Sequence, residues 1–294
     1  MDLAELLHGA GLHHWAYDVE GDDLEGGFRH DTAHLKPFFC RMGSKFLLRN
    51  MIIPMIPPHE KYVEPFAGGA AIFFYKDKAV KSVLNDLDKE TAGALKLLQH
   101  APTDLSQYPK SDTLAGHMRI FNTPPAGNAQ KIARQIVKTC SGFSGKPVEK
   151  GNQIYRKPSI YNKVKYIEDY KEKLKGVKIT SQDYAKVIQQ NDGPNTFFFI
   201  DPPYENTNKE FGYAEDKGFD FDRLASVLSH IRGKFLMTIN NSPNIKKIFS
   251  KFHQKPFKAL TQLNVTHTHG KTQRYDRNEL FIYNYTLPSV RKSD

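Results

Sequence analysis

Asp201, Pro202, Pro203 and Tyr204 follow directly on four apolar residues, Phe197 to Ile200. Such a run reads as a buried central strand, and the prolines end it abruptly. Neither has an N–H to extend a ladder, and each biases the residue before it toward extended geometry. The Asp201 carboxylate and the Pro202 carbonyl are then held where the strand leaves the sheet, the edge at which open α/β sheets bind ligands. Two fixed acceptors beside an aromatic plate suit methylation of an exocyclic amine conjugated to a ring, as in adenine, cytosine or a carboxamide. The lone pair of such an amine is delocalised. Acceptors that grip its hydrogens pull the nitrogen toward tetrahedral geometry and free the lone pair, while Tyr204 can stack on the ring. The same residues are also compatible with an ordinary Pro-Pro turn carrying a solvated acid, so the elements around them decide.

Those elements have an α/β rhythm. Lys61 to Phe66 reads as a strand, followed by the turn Ala67-Gly68-Gly69-Ala70 and a helix through Ile72, Phe73 and Phe74. A strand, a Gly-rich turn and a helix form the first half of a nucleotide-binding βαβ unit. The next strand, Ser82 to Leu84, ends in Asn85-Asp86, and Asp86 stands roughly 20 residues after the turn, the spacing of a ribose-binding acid. No phosphate-binding fingerprint accompanies it: the turn lacks G-x-G-x-x-G, and Gly145-Lys146-Pro147 does not complete a P-loop. The implied ligand is an adenosine without phosphates, which S-adenosylmethionine matches. Upstream, Arg41-Met42-Gly43-Ser44-Lys45 reads as a helix start that could hold an anion or serve as a plain cap. Val177 to Thr180 reads as a strand leading to a helix, Gln182 to Gln189, with Asp183 and Tyr184 at its edge to meet the cofactor's adenine. Glu205 to Phe219 reads as a loop, Phe221 to Ile231 as a helix and Phe235 to Ile239 as a strand. Polar Thr261 to Asn278, with His267 and His269 as loop residues, precedes a last strand, Glu279 to Tyr285.

Between Thr91 and Gly176 the rhythm breaks into Pro- and Gly-punctuated sequence that reads as an insertion. From Lys146 to Lys178 it holds ten Lys/Arg and four Asp/Glu, interleaved with Tyr155, Tyr161, Tyr166 and Tyr170. Basic residues with aromatics suit a nucleic-acid surface, with Lys146, Lys150, Arg156, Lys157 and Lys163 as candidates; a solvated helix with inward tyrosines, about Val164 to Leu174, fits as well.

The 294 residues suffice for one large domain or two, and the formal net charge of +10 is uneven. Residues 1–35 hold eight acids and one base, so the rest is strongly basic, as a polyanion-binding body would be. His30 and His34 could share a helix face in this acidic arm, but no cysteine or acid pair completes a metal site, and no metal is expected. No apolar run matches a membrane span. Cys40 and Cys140 are far apart and match no metal spacing, from which a reducing, intracellular setting is the simplest inference.

Arg41 to Lys45, Glu64 to Ala70, Asp86, Asp201 to Tyr204 and Asn278 to Tyr285, in that order, resemble the Dam family, the alpha group of N6-adenine DNA methyltransferases. The resemblance spans about residues 37–285. It implies a Rossmann-like S-adenosylmethionine-dependent methyltransferase sheet with an inserted, mostly helical target-recognition domain. The organisation expected is an acidic extension (1–35), a first catalytic part with the cofactor motifs (36–92), the insertion (93–175) and a second catalytic part (176–294). It implies that Arg41, Lys45, Glu64, Pro65, Phe66, Gly68, Asp86 and Asp201 join Asp183 and Tyr184 around S-adenosylmethionine, with S-adenosylhomocysteine as product. Asp201 and Pro202 would grip the target amine and Tyr204 would stack on a flipped adenine. Arg41 stands where the family usually has an aromatic residue, and Gly43-Ser44 where it has Gly-Gly. Double-stranded DNA is the implied partner, and a cognate restriction endonuclease a candidate one, in a compartment that holds DNA. An RNA adenine methyltransferase and a catalytically silent DNA-binding subunit are the alternatives. Neither cysteine lies in a Pro-Cys motif at a strand end, which speaks against cytosine-C5 chemistry.

Overall fold

A computed structural model describes residues 35–41, 43–142, 146–205, 218–268 and 271–288, without the side chains of 260–268 and 271–276. The acidic arm and its histidines, Gly145 and His269 lie outside the described residues.

Seven strands form one sheet: β1 (Lys61–Glu64), β2 (Lys81–Asn85), β3 (Lys178–Thr180), β4 (Thr196–Ile200), β5 (Lys234–Asn240), β6 (His253–Thr268) and β7 (Lys271–Tyr283). Their order is β3-β2-β1-β4-β5-β7-β6; β1 to β5 run parallel, and β7 pairs antiparallel with both β5 and β6. β4 lies at the centre and is buried along its whole length, because both faces of a parallel sheet are covered and only an unbroken apolar run tolerates that. The helices are α1 (Arg49–Ile52), α2 (Ala71–Tyr75), α3 (Lys89–Gln99), α4 (Leu114–Asn122), α5 (Asn128–Cys140), α6 (Ile160–Val164), α7 (Ile167–Leu174), α8 (Tyr184–Asn191), α9 (Phe221–Leu228) and α10 (Pro243–Ile248).

Side chains alternate across the strands, and the core divides accordingly. Tyr62, Leu84, Phe197, Phe199, Leu236 and Phe281 pack on one face with α2, α3 and apolar residues of α4 to α7. Val63, Val83, Phe198, Ile200, Met237 and Leu280 pack on the other with α8, α9 and α10. The inserted helices thus share one apolar cluster with the first face of the sheet, as Ile132, Ile136, Ile160, Val164 and Leu174 show. Gln99 links α3 to the chain after α7, donating to the carbonyls of Leu174 (2.7 Å) and Val177 (2.9 Å).

Three readings need correction. Thr261 to Asn278, read as intervening polar sequence, belongs to the β6–β7 hairpin, with His267 opposite Thr272. Its β-branched residues (Thr261, Val265, Thr266, Thr268, Thr272) favour strand, and their polarity hides it because this pair is the sheet's outer edge. The helix expected over 164–174 is two short helices, α6 and α7, that break at Lys165 and Tyr166. Cys40 and Cys140 are joined as a disulfide with Cα atoms 5.0 Å apart, tying the segment before Arg41 to the end of α5. A pairing across 100 residues is invisible in spacing, and it removes the support that apparently separate cysteines lent to a reducing setting. Among the described residues no helix is long and apolar enough to cross a membrane.

Candidate active site

The strand order reverses between β1 and β4. Chain leaving β1 goes one way across the sheet and chain leaving β4 the other, which opens a crevice at their carboxyl ends. Two groups of residues meet there.

The first surrounds the turn after β1. Gly68 has φ +51° and open space where a Cβ would stand. Ala70, at φ 52°, is the only non-glycine with a positive φ among the described residues, a strained state that surrounding structure must hold. Asp86 supplies part of that hold: its Oδ2 accepts from Gly68 N at 2.9 Å and its Oδ1 from Asp88 N at 3.0 Å. Burial raises its pKa above the usual carboxylate value despite these bonds. Asn85, buried beside it, donates to the carbonyls of Pro65 and Gln182, both at 2.9 Å, and accepts from Thr180 Oγ1 and Gln182 N. One amide therefore binds the ends of three strands together. Arg41 reaches the start of α3 just after Asp86, where it hydrogen-bonds Thr91 and pairs with Asp88 at 3.5 Å.

Glu64 is turned into the core beneath this turn. Its Oε1 accepts from Tyr62 Oη at 2.6 Å and Phe73 N at 2.9 Å, and burial pushes its pKa up to about 8. Across the edge, Phe66 packs on Tyr184 with ring centres 5.2 Å apart, and Phe219 lies 5.7 and 5.5 Å from the two. Asp183 is held by both guanidinium nitrogens of Arg223 (2.7 and 2.9 Å), which lowers its pKa; Arg223 also lies over the Tyr184 ring at 4.9 Å. Gln182 Oε1 is buried with no hydrogen-bond partner among the described residues.

The second group is at the end of β4. Asp201 Oδ1 pairs with Lys45 Nζ at 2.7 Å and accepts from Thr238 Oγ1 at 3.1 Å. Burial raises the Asp201 pKa, and Lys45 opposes that shift. Lys45 also donates to Gly43 O at 2.8 Å and sits 4.8 Å from the centre of the Tyr204 ring. It reaches this point because Ser44 caps a 3-10 turn, Lys45–Leu48, rather than a full helix. Pro202 is buried and Pro203 exposed. Tyr204 Oη donates to Glu279 Oε2 at 2.8 Å.

The structure thus brings Arg41, Gly68 and Asp86 to one side of the crevice, Asp183 and Tyr184 to its flank, and Lys45 to the Asp201–Tyr204 side. Thr238, Glu279 and Arg223 escaped the sequence reading. A lone threonine inside an apolar strand and an acid at the head of the apolar run Leu280–Ile282 were the available signals for the first two; Arg223 had none.

On the insertion, Lys146, Lys150, Arg156 and Lys157 are exposed, as are Tyr155, Tyr161 and Tyr166. Lys163, expected among them, is a correction. Ile160 and Val164 bury one face of α6, and the helical repeat carries Lys163 toward that face. Its amine meets Phe38 O at 3.1 Å and Pro37 O at 3.5 Å, and burial brings its pKa down to about 8.

The model of the D12 class N6 adenine-specific DNA methyltransferase family matches residues 42–119 and 147–263, more than half of the chain and both sides of the crevice. Type II methyltransferase M.MjaIII of Methanocaldococcus jannaschii is 25% identical over 85% of this chain and 99% of its own length. Type II methyltransferase M1.LlaDCHI of Lactococcus lactis subsp. cremoris is 25% identical over 87% and 97%. The DNA N-6-adenine-methyltransferase of Escherichia phage P1 is 28% identical over 76% of this chain but only 32% of its own.

Proposed function

From the premise that this chain belongs to the D12 class N6 adenine-specific DNA methyltransferases, we propose how its residues serve methyl transfer from S-adenosylmethionine to the N6 amine of adenine in DNA. S-adenosylmethionine supplies an electrophilic methyl group on a sulfonium. The β1–β3 edge suits that molecule. Beside Gly68 the backbone is bent and the space open, and Asp86 and Asp183 are acceptors for ribose hydroxyls and an amine. Phe66 and Tyr184 provide ring faces, and the orphaned Gln182 Oε1 is a buried acceptor in want of a donor. Acceptors of this kind favour an adenosine over a phosphate ester. Arg41 holds the start of α3 through Asp88 and Thr91. Glu64 and Pro65 act through the backbone at the end of β1, since the Glu64 carboxyl is occupied inside the core.

On the other side, Asp201 and the Pro202 carbonyl accept the two hydrogens of the target amine and free its lone pair. Attack leaves an extra proton on nitrogen, and Asp201 receives it; burial, which raises its proton affinity, suits it to that task. Lys45 balances the Asp201 charge from the Oδ1 side until the amine arrives. Tyr204 stacks on the extruded adenine, offsetting part of the few kcal/mol that extrusion from a duplex costs. Residues 93–175 form the recognition unit, in which Lys146, Lys150, Arg156 and Lys157 contact phosphates of double-stranded DNA and the exposed tyrosines touch bases. A cognate restriction endonuclease is a proposed partner, supported by the naming of two relatives as Type II methyltransferases. The setting is an intracellular compartment that holds DNA.

The observation that carries these roles is the meeting of the Gly68–Asp86 turn and the Asp201–Tyr204 edge across one crevice. The test is transfer from labelled S-adenosylmethionine to unmethylated duplex DNA by wild type and Asp201→Ala, with methylated positions mapped by sequencing. Label on adenines of one short sequence, lost in the variant, is expected. Undiminished transfer by Asp201→Ala would overturn the mechanism.

A further inference from the structure

Glu279 stands on β7 opposite Asn240 of β5 and is only 6% exposed. A carboxylate buried next to the apolar run Leu280–Ile282 is costly without hydrogen bonds. It meets the tip of Tyr204, whose Oη donates to Glu279 Oε2 at 2.8 Å. Tyr204 follows two prolines, so its backbone entry is stiff, but the ring still turns about its side-chain bonds. A bond at the phenol oxygen, the atom farthest from the backbone, stops the ring from swinging about Cα–Cβ, while turning about Cβ–Cγ, on whose axis that oxygen lies, is left to the packing around the ring. Lys45 lies 4.8 Å from the ring centre on the Asp201 side, and Thr238 and Asp201 complete the polar surroundings.

We infer that Glu279 is a positioning residue for methyl transfer: by accepting from the Tyr204 hydroxyl, it fixes the place of the ring on which the extruded adenine stacks. This rests on the stacking role proposed for Tyr204. A ring held in one place presents its face to the base at lower ordering cost, and places the amine between Asp201 and Pro202. The glutamate touches no reacting atom, so its removal acts on turnover through Tyr204 and leaves the cofactor side, beyond β4 and β1, as it was.

The test uses the full chain with two duplexes, unmodified DNA for turnover and DNA carrying 2-aminopurine at the mapped target adenine, whose fluorescence rises on unstacking. Tyr204→Phe, Glu279→Ala, Glu279→Gln, the Tyr204→Phe/Glu279→Ala double variant and Tyr204→Ala are compared with wild type. Turnover, the fluorescence rise and S-adenosylmethionine affinity are measured for each. Tyr204→Phe and Glu279→Ala should each lower kcat by about tenfold or more, the scale of one hydrogen bond to a charged group. The double variant should be no worse than either single one, because one contact is lost in all three. Glu279→Gln, which keeps an acceptor oxygen, should recover most of the rate, and cofactor affinity should hold throughout. Full turnover in Tyr204→Phe, or losses that multiply in the double variant, would overturn the inference. Tyr204→Phe needs no change at the buried acid, so it decides the matter even where Glu279→Ala fails to fold. A Tyr204→Ala variant with wild-type turnover and fluorescence would instead sink the stacking role itself.

Discussion

The two sides of the crevice are prepared in opposite ways. Around Gly68 the backbone is already bent, its N–H already points at Asp86, and space lies open beside it. Around Asp201 one carboxylate oxygen is already engaged, since Lys45 at 2.7 Å and Thr238 at 3.1 Å both meet Oδ1. On the cofactor side the Asp86 carboxylate accepts from the backbone N–H groups of Gly68 and Asp88, the strand ends are stitched by one buried amide, Asn85, and the ion pairs Arg41–Asp88 and Arg223–Asp183 stand beside them. The target side is a cluster of two buried acids, one lysine and one phenol. Asp86 waits for a ligand on backbone N–H groups, whereas Asp201 waits with a lysine as its counter-charge. The cofactor side therefore resembles a preformed socket, and the target side a latch that Lys45 holds until the amine arrives.

The largest expected effect separates the two directly. Asp201→Ala should lower transfer by about 10²–10³-fold, the scale of losing one aligned acceptor, while S-adenosylmethionine affinity measured by calorimetry stays close to wild type. An equal loss of affinity would mean that the sides are not independent. Next, Asp86→Ala should weaken S-adenosylmethionine binding by about 10–100-fold through loss of the Gly68 anchor, with duplex DNA affinity retained. Weaker DNA binding without weaker cofactor binding would reverse the assignment of sides.

Lys45→Met probes the latch. Burial already raises the Asp201 pKa and Lys45 opposes it, so removing the lysine should raise it further. Because the carboxylate is the working form, the acid limb of the pH–rate profile should move to higher pH; a limb that stays put would remove Lys45 from its balancing role. The smallest effect concerns the socket. Folded Glu64 keeps its proton to about pH 8, whereas an unfolded glutamate loses it near 4.5. Between those values the folded state binds more protons, so this group makes stability fall as pH rises. Lys76, Lys163 and Lys173, whose pKa values are lowered to about 8, act in the opposite direction above that pH, so the readout is the difference between proteins. Glu64→Gln keeps an acceptor for Tyr62 and Phe73 and should flatten the slope between about pH 4.5 and 8 in urea melts. An unchanged slope would show that the acid beneath the turn is ionised.

Much of the framework was legible because it depends on local order. The Phe197–Ile200 run has to be a central strand, and the Pro-Pro step has to end it. The glycines after β1 and Asp86 after β2 stand at the spacing that an adenosine site demands. What misled was whatever depends on direction. Lys163 reads as one more cation on a basic tyrosine-rich stretch, yet the turn of α6 set by Ile160 and Val164 carries it inward. The β6–β7 hairpin looks like loop because an edge strand can be polar on both faces.

By itself, then, the sequence determined the α/β order, the central strand, the two motif-bearing edges and the family to which they belong. These follow from apolar period, proline and glycine chemistry and short spacings, all of them properties of neighbouring residues. Only the tertiary structure decided that Lys45 answers Asp201, that Glu279 holds Tyr204, that Arg223 takes Asp183 and that Cys40 meets Cys140. In each case the partners are 40 or more residues apart. Their meeting depends on strand order and side-chain direction, which a carboxylate or a lysine does not announce along the chain.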